Sequence, residues 1–202
     1  MDPRKRRTMD ALLRAAEETF SGRAVQDVTV EEIAARAGVA VGSIYNHFGS
    51  KAGLHAALVE RALDTDRHYM DQAYTADRGP LEQLYAAAEE YLRFYLEHPD
   101  YFRMLAFPGE PGQYAAGHEL SERLVRAVHE QNSRMVEALR RGVAAGQLRD
   151  IDPEEVATIL WAAWNGLISL GWRPDSLRRA APELRQLLRT ATDVVATGLL
   201  AR

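Results

Sequence analysis

From Leu12 to Leu199 apolar side chains recur at intervals of three and four residues, and no stretch keeps the two-residue alternation of a half-buried strand. This spacing predicts an all-α chain of about nine helices. The first helix is expected over about Thr8 to Phe20, with Leu12, Leu13, Ala16 and Phe20 on one face and Gly22 at its end. Thr29, followed three residues later by Glu32, reads as a capping box, and Val28 and Ile33 stand where a hydrophobic staple packs. The box opens a short helix, Val30 to Ala37, which Gly38 stops. A second short helix covers about Val41 to Phe48, and a longer one runs from about Lys51 to Tyr74. Gly79-Pro80 opens a helix from Leu81 to about Glu97. Tyr101 to Phe107 is a short aromatic helix or turn, and Pro108 to Gly117, rich in Gly and Pro, is a loop. A long helix follows from about His118 to Ala145, with Leu120, Leu124, Val128, Met135, Leu139 and Val143 as its stripe. Asp152-Pro153-Glu154-Glu155 starts a helix to about Gly171, and a last one spans about Pro182 to Leu200. The expected domains are residues 1–52 and 53–202.

Two short helices joined by a glycine turn form a helix-turn-helix. Ile33, Ala34, Val39, Ile44 and Phe48 are its expected core. The outer face of its second helix carries Val41, Gly42, Ser43, Tyr45, Asn46 and His47. These groups are small or hydrogen-bonding, so the helix can approach the major groove closely. Tyr45 is expected to pack its ring and leave its hydroxyl at the surface. Charge adds nothing to this case. The net charge is −4, and residues 1–60 carry eight basic and eight acidic side chains. The argument for DNA rests on the motif.

That motif resembles the DNA-binding domain of the TetR/AcrR family. The matching residues are Thr29, Ile33-Ala34, Ala37-Gly38-Val39, Gly42-Ser43-Ile44-Tyr45, His47-Phe48 and Lys51, within about residues 8–60. The resemblance implies that Val41 to His47 is the recognition helix. It implies phosphate contacts from Thr29, Tyr45, His47 and Lys51, and base-edge contacts from Val41, Gly42, Ser43 and Asn46. Arg4 to Arg7 would add a mobile arm. The chain departs from the pattern at Ala40, where a Ser or Thr cap is usual, and at Ala24, where glycine is common.

The same resemblance implies a ligand cavity and a homodimer interface among the later helices. Leu84, Ala88, Tyr91 and Tyr95 share one helix face, and Asn165 interrupts an apolar helix. Apolar walls with a few polar groups describe a small-molecule site. The candidate ligand residues are Tyr91, Tyr95, Phe102, Met104, Phe107, His129, Asn132, Met135, Trp161 and Asn165. The candidate dimer residues are Trp164 and, on the last helix, Leu184, Leu188, Ala191, Val195 and Leu199, whose apolar face is wide.

The chain has no cysteine, so disulfides and thiolate zinc sites are excluded. It holds no His-Glu-x-x-His, Gly-x-Ser-x-Gly or phosphate-binding glycine loop, and His118-Glu-Leu-Ser-Glu lacks a second histidine. No enzyme activity, metal or cofactor is expected. No apolar run approaches the roughly 20 residues of a membrane span, and a cytoplasmic location is expected. The predicted function is a ligand-responsive regulator, in the repressing mode common to the family. It would bind palindromic operator DNA as a homodimer and be released by a small apolar or aromatic effector. The alternative is a helical small-molecule-binding protein without a DNA role.

Overall fold

The computed structural model describes residues 2–21, 23, 25–106 and 117–200. Among these residues it has nine α-helices and two short 3-10 turns. The helices are α1 (Pro3–Phe20), α2 (Val30–Ala37), α3 (Gly42–Phe48), α4 (Lys51–Ala73), α5 (Pro80–Glu97), α6 (Pro99–Ala106), α7 (Gly117–Ala144), α8 (Pro153–Ser169) and α9 (Ala181–Leu199). Gly22, Ala24, Phe107 and the expected loop over 108–116 lie outside the described residues. So do the side chains of Leu120 and Leu124.

The chain forms two compact units. One comprises Met1–Asp64 with Asp100–Val125, and the other Thr65–Pro99 with Arg126–Arg202. α1 begins five residues before the expected Thr8. Asp2 accepts a hydrogen bond from the Arg4 amide at 2.9 Å, and Pro3 takes the first turn. This is the same start signal as Asp152-Pro153, whose aspartate accepts from the Glu154 and Glu155 amides. Arg4 to Arg7 are therefore exposed residues of a helix, not a mobile arm.

In the first unit α1 packs on α2 and α3. Leu12, Ala16 and Phe20 of α1 are buried with Ile33 and Ala34 of α2 and Ile44 of α3. Each large side chain buried in this way contributes about 1.5–3 kcal/mol. Leu54 and Leu58 of α4 and Tyr101 and Phe102 of α6 are buried in the same unit. The second unit is built on α9, which packs against α5 and α8. Leu84, Leu92, Leu160, Ile168, Leu184 and Leu188 are buried in it. A Cβ at Gly171 would run into the Tyr95 hydroxyl, so any larger residue here must displace that ring.

Candidate nucleic-acid interface and effector site

The helix-turn-helix is held by local bonds that its sequence specifies. Thr29 Oγ1 accepts from the Glu32 amide at 3.2 Å, and Glu32 Oε2 accepts from the Thr29 amide at 3.0 Å. Val28 and Ile33 are both buried, as a hydrophobic staple requires. Gly38 takes φ 68° and ψ 33°, and its amide donates to the Ala34 and Ala35 carbonyls. That left-handed conformation favours glycine and turns the chain sharply between α2 and α3. α3 then lacks a side-chain cap, in keeping with Ala40. At its far end a Cβ on Gly53 would clash with the Phe48 carbonyl oxygen, so the close approach of α4 to α3 needs a glycine.

This framework sets the expected DNA residues as follows. Thr29, Gly42, Tyr45 and Asn46 are exposed, and Val41, Ser43 and His47 are half-buried. Ile33, Ala34 and Ile44 are core, whereas Val39 and Phe48 are only half-buried. One expectation is corrected. The Tyr45 ring does not pack, since the residue is 52% exposed. It projects from α3 because its neighbour Ile44 takes the inward position. Lys51 is half-buried and has two of its three ammonium hydrogens engaged within the protein. Its Nζ donates to the Val25 carbonyl at 2.8 Å and the Val28 carbonyl at 2.7 Å. The lysine thereby closes the turn that precedes the capping box. Charged donors to buried acceptors contribute about 1.5–3 kcal/mol. Lys51→Met should therefore lower the melting temperature and leave the salt slope of DNA binding unchanged. A slope reduced by about one per subunit, without destabilisation, would support the phosphate role.

The candidate effector residues fall in both units. Phe102, fully buried, and Met104, half-buried, belong to the first. Tyr91, Tyr95, Met135, Trp161 and Asn165 belong to the second. There Tyr91 Oη donates to Asn165 Oδ1 at 2.8 Å, and Asn165 Nδ2 donates to the Trp161 carbonyl at 3.0 Å. This pairing answers the question that an asparagine inside an apolar helix poses. Tyr95 stands edge-on to Trp172, with ring centroids 5.6 Å apart. Asn132 is half-buried, and Met135 is buried. His129 is exposed on α7 and faces solvent, which corrects its assignment to the site.

Sequence reasoning missed Asp66. It lies on α4 with 6% of its surface exposed, and Gln131 Nε2 donates to its Oδ2. Burial pushes its carboxyl up to about 7, against the Gln131 hydrogen bond and the charges of Arg134 and Arg67, which pull it down. The available signal was an acid on the inward face of α4, in register with Ala62, Tyr69, Met70 and Ala73, which are also buried. Burial acts oppositely on His55 of the first unit, lowering its imidazole to about 4. A surface recess of about 720 Å³ includes Asp71, Tyr74, Arg78, Gln83, Arg134 and Arg141 in its lining. Its arginines are committed, Arg134 to Asp71 and Arg141 to Gln83, each at 2.6 Å, and Arg78 to the Ala73 carbonyl at 3.1 Å.

The expected dimer residues need the largest correction. Trp164, Leu184, Leu188 and Leu199 are buried within one protomer, and Trp164 Nε1 donates to Thr192 Oγ1 at 3.0 Å. Their surface is already buried inside the protomer, where α9 packs on α5 and α8, so a partner cannot reach them. Ala191 and Val195 are half-buried beside them. The opposite side of the same helices is unusually apolar for a surface. Ile159 is 57% exposed and Val194 67%, with Ala162, Gly166 and Gly198 exposed nearby in sequence.

Two family models cover most of this architecture. Residues 12–58 match the model of bacterial regulatory proteins of the tetR family. Residues 84–195 match the tetracyclin repressor-like C-terminal domain. The chain belongs to the TetR family of transcriptional regulators. The transcriptional regulator AcuR of Cereibacter sphaeroides is 31% identical over 175 residues, 83% of this chain and 78% of that protein. A putative TetR-family regulator from Rhodococcus sp. superposes with a TM-score of 0.77 at 23% identity, covering 94% of this chain and 98% of that one. A complex of SmeT with triclosan gives a TM-score of 0.72 at 26% identity, covering 96% and 91%. SmeT is described as the repressor of a Stenotrophomonas maltophilia multidrug efflux pump. Among the described residues no helix is long and apolar enough to cross a membrane.

Proposed function

We propose that this TetR-family regulator is a repressor that binds palindromic operator DNA as a homodimer and releases it when a small effector binds the second unit. The observation that carries the DNA reading is the α2–α3 pair. Its entry is fixed by the Thr29–Glu32 box and its turn by the Gly38 amide, and it presents exposed Gly42, Tyr45 and Asn46 on one side of α3. Thr29 uses its oxygen as an acceptor in the capping box, which leaves its hydroxyl hydrogen to reach a phosphate. Tyr45 and His47 are assigned to phosphate, and Val41, Gly42, Ser43 and Asn46 to base edges.

A dimer must hold its two α3 helices about 34–36 Å apart, or a multiple of that, to enter successive major grooves. The outward faces of α8 and α9 supply the interface, with Ile159, Ala162, Gly166, Val194 and Gly198 at helical spacing. Four helices, two from each protomer, then pack together. The effector binds among Tyr91, Trp161 and Asn165, and acts by favouring one spacing of the reading heads over the other. A tenfold loss of DNA affinity needs a coupling of about 1.4 kcal/mol, a usual allosteric value. The SmeT complex with triclosan supports a small aromatic occupant.

Fluorescence anisotropy with the chain's own promoter DNA tests the reading. Tyr45→Phe should weaken binding to all sequences alike, because phosphate contacts position without specifying. Asn46→Ala should cost about 1–3 kcal/mol on the preferred operator and relax preference at one base pair per half-site. Equal affinity of the wild type for promoter and random DNA would sink the operator reading.

A further inference from the structure

In the second unit Asp66 is a buried acid with an oxygen that nothing bonds. Gln131 on α7 serves Oδ2 of Asp66, while Oδ1 is sealed from water and has no hydrogen-bond partner. A buried acceptor left unsatisfied bears the full cost of its lost hydration, and more when it is charged. Nothing in the packing asks for an acid at this point, since the inward positions around it on α4 are alanine, tyrosine and methionine. The groups that act on Asp66 are known from each side. Arg67 lies on its own helix, Arg134 and Gln131 on α7, and Tyr91 on α5. Arg67 is ion-paired to Glu130 at 3.5 Å and Arg134 to Asp71 at 2.6 Å. The Tyr91 hydroxyl is itself tied to Asn165 on α8. Four helices therefore bring an acid, a glutamine, a tyrosine and an asparagine into one interior.

We propose that Asp66 is the anchor for the effector, and that the effector is an organic cation whose protonated amine donates to Oδ1. This rests on the reading that the second unit takes the effector. A neutral donor would satisfy the oxygen but add nothing to the partial compensation from Arg134 and Arg67, each already paired to another carboxylate. A protonated amine supplies both the hydrogen bond and the counter-charge. An aromatic body on the amine suits Tyr91, which acts on Asp66 and is itself tied to Asn165 and Trp161. Without effector the Asp66 carboxyl titrates near 7 because burial disfavours its charge. Binding of the cation requires the ionised form. Below that pH the acid must lose its proton as the amine enters, so affinity falls by about tenfold per pH unit.

The test is calorimetric titration of the full chain with 4-phenylbutylamine and with 4-phenylbutan-1-ol, at pH 8 and pH 6. The amine should bind the wild type at pH 8 at least tenfold more tightly than the alcohol. At pH 6 the preference should shrink by about tenfold, and heats in buffers of different ionisation enthalpy should report close to one proton released. Asp66→Asn, folded by its melting curve, should bind both compounds alike. Equal binding of the two by the wild type overturns the proposal. So does absence of saturable amine binding, or an amine preference that survives in Asp66→Asn. No DNA is present, so failure of the operator reading does not alter these outcomes. Conversely, amine binding that leaves the anisotropy of bound promoter DNA unchanged would defeat the release mechanism and leave the Asp66 site standing.

Discussion

Val194→Asp should sediment as a monomer and lose about 10²–10⁴-fold in operator affinity, because two linked reading heads exceed one by that factor. The residue is 67% exposed on α9, and Ile159 on α8 is 57% exposed. A charge placed in a closely packed apolar interface loses its hydration without gaining a partner. In the isolated protomer the same charge faces water, so the monomer should melt close to the intrinsic stability of its own fold. Leu188→Ala separates the two faces of α9. Leu188 is 2% exposed, and truncating such a residue costs about 2–5 kcal/mol through the cavity it leaves. That variant should unfold earlier yet still associate where it is folded. A Val194→Asp protein that remains a dimer by analytical ultracentrifugation would place the interface elsewhere.

Asp66→Asn should stabilise the protein at pH 8 by a few kcal/mol and leave it unchanged near pH 4. In the unfolded chain the carboxyl titrates at 3.8, and in the fold burial moves it to about 7. Below 3.8 both states hold the proton, and Asp66 costs nothing through ionisation. Between 3.8 and 7 the folded state holds more protons than the unfolded one, so stability falls as pH rises. Above 7 both states are ionised and the penalty is complete. His55 runs the other way. Its folded imidazole titrates near 4 against 6.5 unfolded, so its cost is absent above 6.5 and grows as pH falls. The two slopes oppose each other over the acid range in the wild type. Denaturant melts of Asp66→Asn at a series of pH values should show stability falling as pH falls on the acid side, the histidine's slope joined by those of the lowered carboxyls of Glu32, Asp77 and Asp175. A variant no more stable than wild type at pH 8 would mean that the Asp66 carboxyl is not penalised by burial.

Features written in neighbouring residues were legible before any coordinates. The Thr29–Glu32 box, the Gly38 turn and the Asp152-Pro153 start each depend on side chains within a few positions of one another, and each formed. The start of α1 was equally local and was passed over, although Asp2-Pro3 repeats the later signal. What the pattern could not give was which side of a two-faced helix meets its own chain. α9 carries apolar groups over a wide arc, and periodicity alone does not say that Leu184 and Leu188 go inward to α5 while Val194 goes outward. The same limit hid the role of Lys51, whose partners Val25 and Val28 lie 26 and 23 residues away. Asp66 was missed because one acid among apolar neighbours reads as a surface residue until the helix opposite it is in place.

All three tryptophans of the chain, Trp161, Trp164 and Trp172, fall in the second unit. Intrinsic tryptophan emission therefore watches one unit only, while far-ultraviolet circular dichroism counts helix in both. Superimposable transitions from the two signals would mean that the units melt as one cooperative block. A dichroic transition that precedes the emission change would mean that the DNA-reading helices open first, while α5, α8 and α9 stay intact. The placement of three indoles thus gives the protein a built-in spectroscopic label for half of itself, with no dye attached.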